Sequence, residues 1–130
     1  RKMTFSPSVP PEQADYVFAD GWLEEAEIRS LFERISRGTH EAPELGATLL
    51  LRVSGLGGSG ERKWTLSGPG IADSVECCVA GLNERWLFER EKANAEYPVG
   101  VDMILFTDDG LVTALPRTTT IGKGEPQWLM

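Results

Sequence analysis

The sequence predicts an α/β protein, a mixed β-sheet with helices packed on it. Two segments place apolar residues at helical spacing, and four or five others show the alternation or β-branched content of strands. Along the chain these elements follow the order strand, helix, hairpin, helix, hairpin. Because helices and strands interleave, a sheet covered by helices fits the pattern better than a β-sandwich does.

The first half of the chain is predicted to hold a strand, a helix and a second strand. Residues 15–19 (DYVFA) mix β-branched and aromatic side chains, which is typical of a strand. Asp20 stands where an N-cap belongs, and residues 22–36 are predicted as a helix. Residues 47–54 (ATLLLRVS) have the character of the second strand. The apolar stripe of the helix consists of Ile28, Leu31, Phe32 and Ile35.

The second half is predicted to hold a strand at residues 62–67, which pairs with 47–54 as a hairpin, and a helix at 82–93. Residues 101–107 and 111–115 form a second hairpin around the turn Asp108-Asp109-Gly110. Residues 71–79 allow no assignment, and 122–130 are predicted as a loose tail. The helix at 82–93 turns Leu82, Trp86 and Ala93 inward and leaves five charged residues largely solvated: Glu84, Arg85, Glu89, Arg90 and Glu91.

Length and composition limit the classes of protein. A chain of 130 residues suits one domain, so residues 1–130 are predicted as a single domain, and the abrupt start at Arg1 favours the later part of a longer protein. The net charge of −7 and the lack of a Lys/Arg cluster argue against binding to nucleic acid. No apolar run is long enough to cross a membrane.

The glycine-rich stretch SGLGGSGERK matches the G-x-G-x-x-G pattern of a dinucleotide-binding loop between Gly55 and Gly60. Such a loop binds pyrophosphate because its last glycine leads into a helix. Here the pattern after Gly60 is that of a strand, and Glu61 would repel phosphate. The stretch is therefore predicted to be an exposed, mobile connection between two antiparallel strands, and the match accidental.

Five other residues that could carry chemistry are predicted to have ordinary roles. Cys77 and Cys78 are adjacent, which disfavours a disulfide between them, and they lack a zinc-site partner. They are predicted as small buried residues in a reducing cytoplasm. His40 lies in a polar loop as a solvated side chain, and Asp108 and Asp109 are turn formers because the remaining ligands of a calcium loop are missing.

The stretch LPRTT, together with Asp102, is the strongest candidate site in the sequence. Asp102 lies on an otherwise apolar strand, where a buried carboxylate needs a partner. Arg117, Thr118 and Thr119 follow the predicted hairpin and present a guanidinium and two hydroxyls. Two interpretations stay open: these groups bind an anion, or Arg117 pairs with Asp102 as an internal brace or interface.

Residues 16–120 resemble a known family. The segments YPVGVDMILFTDDGLVTALPRTT, APELGATLLLRVSGL and WTLSGPGIAD are similar to the PhnH family, a component of the bacterial carbon–phosphorus lyase system. The resemblance implies that this chain corresponds to roughly the C-terminal two-thirds of a family member. It also implies a mixed sheet resembling the large domain of pyridoxal-phosphate-dependent transferases, with no working cofactor site. None of the lysines (Lys2, Lys63, Lys92 and Lys123) stands at a convincing Schiff-base position.

The resemblance further implies a role in the cytoplasm as a subunit that is not catalytic alone. Family members form homodimers and join subunits G, I and J. With G, I and L they support the transfer that makes α-D-ribose 1-methylphosphonate 5-triphosphate from MgATP and a phosphonate. No catalytic or metal-binding residue carries over from the family. The alternative is that Arg117 and the neighbouring hydroxyls bind phosphonate or triphosphate directly.

Overall fold

A computed structural model describes residues 3–4, 16–57, 62–69, 71, 75–96 and 98–123. In these ranges helices and strands interleave, so the α/β class and a mixed sheet with packed helices are confirmed. The strands form two sheets, however, where a single mixed sheet was predicted. The elements in chain order are β1 (Met3–Thr4), β2 (Tyr16–Asp20), α1 (Glu25–Arg34), a 3-10 turn (Pro43–Leu45), β3 (Thr48–Arg52), β4 (Gly55–Leu56), β5 (Arg62–Ser67), β6 (Val75–Ala80), α2 (Arg85–Ala93), β7 (Asp102–Phe106), β8 (Val112–Leu115) and β9 (Thr120–Lys123).

The first sheet has the strand order β1-β2-β3-β7-β8. The first four strands run parallel, and β8 returns antiparallel to β7, which confirms the second predicted hairpin. Alternation along the central strands places Leu49 and Leu51 with Met103 and Leu105 on one buried face. All carboxyl ends of the parallel strands consequently meet at one edge of the sheet, and all amino ends at the opposite edge.

The second sheet is antiparallel, with the order β4-β6-β5-β9. The predicted hairpin between 47–54 and 62–67 is therefore wrong, since β3 belongs to the first sheet and β5 to the second. The chain changes sheet directly after β3: the Ser54 amide donates to the carbonyl oxygen of Ala80 at 3.0 Å, and β4 then pairs with β6. Pairing of β4 with β6 leaves β5 on the far side of β6.

Helix α1 covers the buried face of the first sheet. Its apolar stripe is confirmed, because Ile28, Phe32 and Ile35 are buried and Leu31 packs against them. The helix begins at Glu25, with Glu24 as N-cap and no side-chain cap, so the prediction that Asp20 caps it is wrong. Asp20 instead ends β2, and the following turn is held by hydrogen bonds to the segment that leads into α2.

Helix α2 packs beside α1, and the Phe32 and Trp86 rings lie 5.9 Å apart. It begins at Arg85, three residues later than predicted, although Leu82 is buried as expected. The prediction that all its charged residues are solvated is wrong for Glu89 and Arg90, which are 4% and 5% exposed. Helical spacing alone could not reveal this, because both residues are buried through specific polar contacts.

The second sheet also contains two segments in which the sequence predicts no strand. Residues 71–79 allow no assignment from the sequence, and β6 begins within them at Val75. The predicted loose tail from residue 122 is ordered at its start, since β9 includes Gly122 and pairs with β5. One hydrophobic core spans both sheets and contains Leu49, Leu105, Trp64 and Val79. Among the described residues, no helix is long and apolar enough to cross a membrane.

Candidate functional site

The candidate residues from LPRTT lie at the amino edge of the first sheet, beside the first residue of β7. Arg117 meets the carboxylate of Asp102 in a bidentate pair, with Nε 3.2 Å from Oδ1 and Nη2 3.2 Å from Oδ2. The backbone amide of Arg117 also donates to Oδ1 at 2.7 Å. The structure therefore contains the internal brace that was one of the two interpretations of these residues.

The rest of the Arg117 guanidinium is also occupied by protein. Nη1 donates to the carbonyl oxygens of Pro43 at 2.9 Å and Pro98 at 3.1 Å. Four of the five N–H donors of the group are thus engaged, and its side chain is 12% exposed. Arg117 ties together the 3-10 turn before β3, the loop before β7, β7 itself and the turn after β8. Only one N–H donor of Arg117 is therefore left for an anion, and little of the side chain is accessible from solvent.

Close backbone packing makes room for this guanidinium. Gly46 follows the 3-10 turn with φ −67°, so its conformation does not require glycine. A Cβ at this position would overlap the carbonyl oxygen of Gly100 and lie 3.0 Å from Nη2 of Arg117. Glycine is needed here because two backbone segments and the arginine converge.

Arg90 of α2 binds the same turn. Its Nη2 donates to the carbonyl oxygens of Pro116 and Thr119, each at 2.8 Å. Burial lowers the pKa of Arg90, and the carboxylate of Asp102 opposes that shift. The Nε atom of Arg90 is buried without a hydrogen-bond partner. We call Arg90, Asp102 and Arg117 the arginine clamp.

Sequence reasoning places Arg90 on a solvated helix face and so misses one third of the clamp. The sequence indicates the role of Arg90 only indirectly. The Pro116–Thr119 turn has carbonyl oxygens that need hydrogen-bond donors where the fold buries them. Thr119 is 6% exposed and its amide donates to the Pro116 oxygen at 2.9 Å, while Thr118 is half-buried. The backbone of this turn is thus bonded to α2 and to itself, and the turn joins β8 of the first sheet to β9 of the second.

The other sequence candidates lie apart from the clamp. His40 is solvated as predicted, with Nε2 4.0 Å from a carboxylate oxygen of Glu96. Asp108 and Asp109 occupy the β7–β8 turn, as predicted, where Asp109 accepts a hydrogen bond from the Thr107 hydroxyl. Among the described residues, no three His, Cys, Asp or Glu side chains come together in a group that could hold a metal ion.

The two cysteines are free thiols on β6. Both are half-buried, where full burial was predicted. Burial raises the pKa of Cys77, a hydrogen bond with Thr113 of β8 opposes the rise, and the neighbouring Cys78 adds to it. A thiol with a raised pKa is a poor nucleophile at neutral pH, so Cys77 has the character of a structural residue.

The glycine-rich stretch leads into β5 and not into a helix, as predicted from the residues after Gly60. The loop therefore lacks the helix N-terminus that holds the pyrophosphate in a dinucleotide-binding fold. The strands on either side of it, β4 and β5, both pair antiparallel with β6 and so run in the same direction. The prediction that the loop joins two antiparallel strands is consequently wrong. The prediction that Gly55–Gly60 are exposed and mobile is wrong at the start of the loop, because Gly55 and Leu56 form β4 and Leu56 is buried. Residues 58–60 lie outside the described residues.

Comparison with known proteins identifies relatives of this chain. A family model described as "Bacterial phosphonate metabolism protein (PhnH)" matches residues 1–122. The chain is 39% identical over 115 residues to a protein of Stutzerimonas stutzeri named "Putative C-P lyase subunit protein HtxG", covering 88% of this chain and 54% of that protein.

A second relative comes from Rhizobium meliloti (strain 1021) and is named "Alpha-D-ribose 1-methylphosphonate 5-triphosphate synthase subunit PhnH". It is 31% identical over 92 residues, which is 71% of this chain and 44% of that protein. The chain spans about half the length of the curated relatives it matches.

Proposed function

Because the chain belongs to the PhnH family, we propose that it is a subunit of a carbon–phosphorus lyase system for phosphonate degradation. In this role it supports formation of α-D-ribose 1-methylphosphonate 5-triphosphate from MgATP and a phosphonate. It acts as an accessory partner, through protein contacts and not through catalytic groups of its own. The names of the two relatives, a C-P lyase subunit and a synthase subunit, support this assignment.

The occupation of Arg117 is the observation that favours the accessory role over direct substrate binding. A triphosphate or phosphonate site needs several free cationic or N–H donors aimed at the anion. In the arginine clamp these donors already bind Asp102, Pro43 and Pro98. Arg90 donates from Nη2 to the carbonyl oxygens of Pro116 and Thr119, and at 5% exposure it offers little access to an anion from solvent.

The overall charge also favours an accessory role over direct binding of the anionic substrates. With a formal net charge of −7, the chain repels MgATP and phosphonate at long range more than it attracts them. Concentrated positive charge for these substrates is then supplied by other subunits. We propose subunits G, I, J and L as the partners, and a homodimer as the state of the isolated protein in the cytoplasm.

We further propose that the fold is related to the large domain of pyridoxal-phosphate-dependent transferases but carries no cofactor. A Schiff base needs a lysine in a sheltered pocket that lowers its pKa. Lys92, on α2, is 57% exposed at its side chain and lies 3.6 Å from a carboxylate oxygen of Glu89. Titration with pyridoxal phosphate is expected to leave the absorbance spectrum of the cofactor unchanged, and a saturable aldimine band would contradict the proposal.

Reconstitution tests the proposed function directly. The chain is co-expressed with subunits G, I, J and L, purified through a tag on the chain, and assayed for the ribosyl triphosphate product from MgATP and methylphosphonate. We expect the other subunits to co-purify, and we expect product to fall to background when the chain is omitted. Full product formation without the chain, or purification of the chain alone, would contradict the proposal.

A further inference from the structure

Trp22 is presented to solvent on a rigid turn at the carboxyl edge of the first sheet. Its side chain is 48% exposed, although the backbone on both sides is fixed. The carbonyl oxygen of Gly21 accepts hydrogen bonds from the Trp86 indole at 2.9 Å and the Asn83 amide at 2.8 Å. The Asn83 side chain donates to the oxygen of Leu23 at 3.0 Å. An exposed indole on a fixed backbone loses little conformational entropy on binding.

The surroundings of Trp22 are acidic. Arg52 stacks on the ring at 5.0 Å, with Nε 3.3 Å from Asp20 and Nη1 3.7 Å from Asp108. A cavity of about 300 Å³ lies beside these groups, and Trp22 also borders a second cavity of about 430 Å³. The charged residues lining the two cavities are Asp108, Asp109, Glu25 and Glu84 against Arg52 and Arg85.

Both arginines of this surface already have carboxylate partners. Arg52 contacts Asp20 and Asp108, and Arg85 donates from Nε to Glu89 at 2.8 Å. Asp108 is 80% exposed at its side chain, so most of its carboxylate faces water. The surface therefore combines an accessible indole with a surplus of negative charge. An indole face is the best aromatic partner for a cation, and arginine adds planar stacking to the charge attraction.

We propose that Trp22, Asp108 and Asp109 form a docking surface for an arginine side chain of a partner subunit. The proposal rests on the accessory role proposed above and names the chemistry of one contact. Tryptophan and arginine are the residues most often found as energetic anchors of protein interfaces. The acidic rim attracts a basic partner and repels a second copy of this acidic chain.

A peptide titration followed by NMR tests the surface in isolation. The probes are capped Gly-Arg-Gly-Arg-Gly, its lysine analogue and its glutamate analogue, added to ¹⁵N-labelled protein at low salt. We expect the arginine peptide to shift the Trp22 indole and the amides of residues 107–110, the lysine peptide to do so more weakly, and the glutamate peptide to have no effect. Equal shifts with arginine and glutamate would overturn the proposal.

Variants define which groups carry the effect. We expect the affinity for the arginine peptide to fall about tenfold or more in two variants. These are Trp22→Ala and the double variant Asp108→Asn with Asp109→Asn. Phe88→Ala is the matched control. Phe88 is also an exposed aromatic residue, 51% exposed, but two cations, Arg85 and Lys92, lie over its ring, whereas only Arg52 lies over the Trp22 ring among the described residues. Unchanged affinity in Trp22→Ala, or an equal loss in Phe88→Ala, would overturn the proposal.

Reconstitution with the partner subunits separates the docking surface from the proposed function. If wild-type protein recovers the other subunits and Trp22→Ala recovers them about tenfold less well, the docking surface is supported. Equal recovery by both proteins overturns the docking surface and leaves the accessory role standing. Failure of the wild-type protein to recover any subunit overturns the accessory role itself. Trp22→Phe, which keeps an aromatic face, is expected to give intermediate recovery and shows that the loss is not one of folding.

Discussion

The two edges of the same parallel sheet use arginine in opposite ways. At the amino edge, Arg117 is 12% exposed at its side chain and makes bonds of 2.9–3.2 Å to a carboxylate and two backbone oxygens. At the carboxyl edge, Arg52 is 44% exposed, and its carboxylate contacts are longer, at 3.3 and 3.7 Å. The amino edge is consequently internal structure, whereas the carboxyl edge keeps surface available for a partner.

This contrast shows that residue type alone does not identify a binding site. Arg117, Thr118 and Thr119 have the composition of an anion site, but the fold uses their donors and backbone to join the two sheets. Trp22 and Asp108 give no signal in the sequence, because an isolated tryptophan and a DDG turn are both ordinary features. The two edges differ in how much of their charged side chains is still exposed to solvent after folding.

The largest expected effect comes from Arg117→Met. Removing the guanidinium leaves Asp102 without its ion-pair partner and takes a donor from the carbonyl oxygens of Pro43 and Pro98. The Pro43 oxygen keeps the Gly46 amide at 3.0 Å. We expect the free energy of unfolding to fall by about 3–5 kcal/mol, measured by urea denaturation. Arg29→Met, which removes an exposed arginine from α1, is the control and is expected to change stability by at most about 0.5 kcal/mol. Similar values for the two variants would show that the clamp is not structural.

Gly46→Ala tests the crowding around the clamp. The new methyl group overlaps the carbonyl oxygen of Gly100 and presses on Arg117. We expect a loss of about 1–3 kcal/mol in the same urea experiment. A neutral or stabilising effect would mean that the segments before β3 and β7 separate easily and that the clamp is loose.

Arg90→Met removes the second arginine of the clamp while keeping most of its side-chain volume. The Thr119 carbonyl oxygen loses the Arg90 donor, the Pro116 oxygen keeps only the Thr119 amide, and a costly buried charge is removed as well. We expect a net loss of about 1–2 kcal/mol, less than for Arg117→Met. A loss larger than that of Arg117→Met would reverse the order of importance of the two arginines.

Arg52→Met gives the smallest expected effect and so sharpens the comparison between the two edges. Exposed ion pairs contribute little to stability, and the stacking on Trp22 is partly retained by the methionine side chain. We expect a loss of about 0.2–1 kcal/mol in urea. A loss above about 3 kcal/mol would make the carboxyl edge as structural as the amino edge.

Cys77 of the second sheet forms a hydrogen bond with Thr113 of the first sheet, so the reactivity of its thiol measures how well this contact is buried. Its raised pKa means that the folded state favours the protonated thiol, so stability from this group is present below the ordinary pKa of 9.0 and is lost as pH rises above it. In a Cys78→Ser background, alkylation of Cys77 by iodoacetamide should be slower in folded than in urea-unfolded protein at pH 8. Equal rates would show that the thiol is not protected by burial.

Periodicity predicts the parts of the fold that local sequence determines. The stripe of α1, strand β5 and the β7–β8 hairpin follow from spacing and turn residues. The division into two sheets does not, because β4 is only two residues long and its pairing with the distant β6 decides where the chain turns. For the same reason Asp102 and Arg117 could be paired from the sequence, being close in a hairpin, whereas the burial of Arg90 depends on the packing of α2 against a turn 26 residues away.

Isothermal titration of the isolated protein with methylphosphonate and with MgATP tests the central claim most directly, because Arg117 keeps only one unengaged N–H donor and Arg90 is buried. The wild-type protein and Arg117→Lys, both verified as folded by circular dichroism, are titrated under the same conditions. The clamp predicts no saturable heat for either ligand with either protein. Saturable binding to wild-type protein that disappears in Arg117→Lys would contradict it and assign substrate binding to the amino edge.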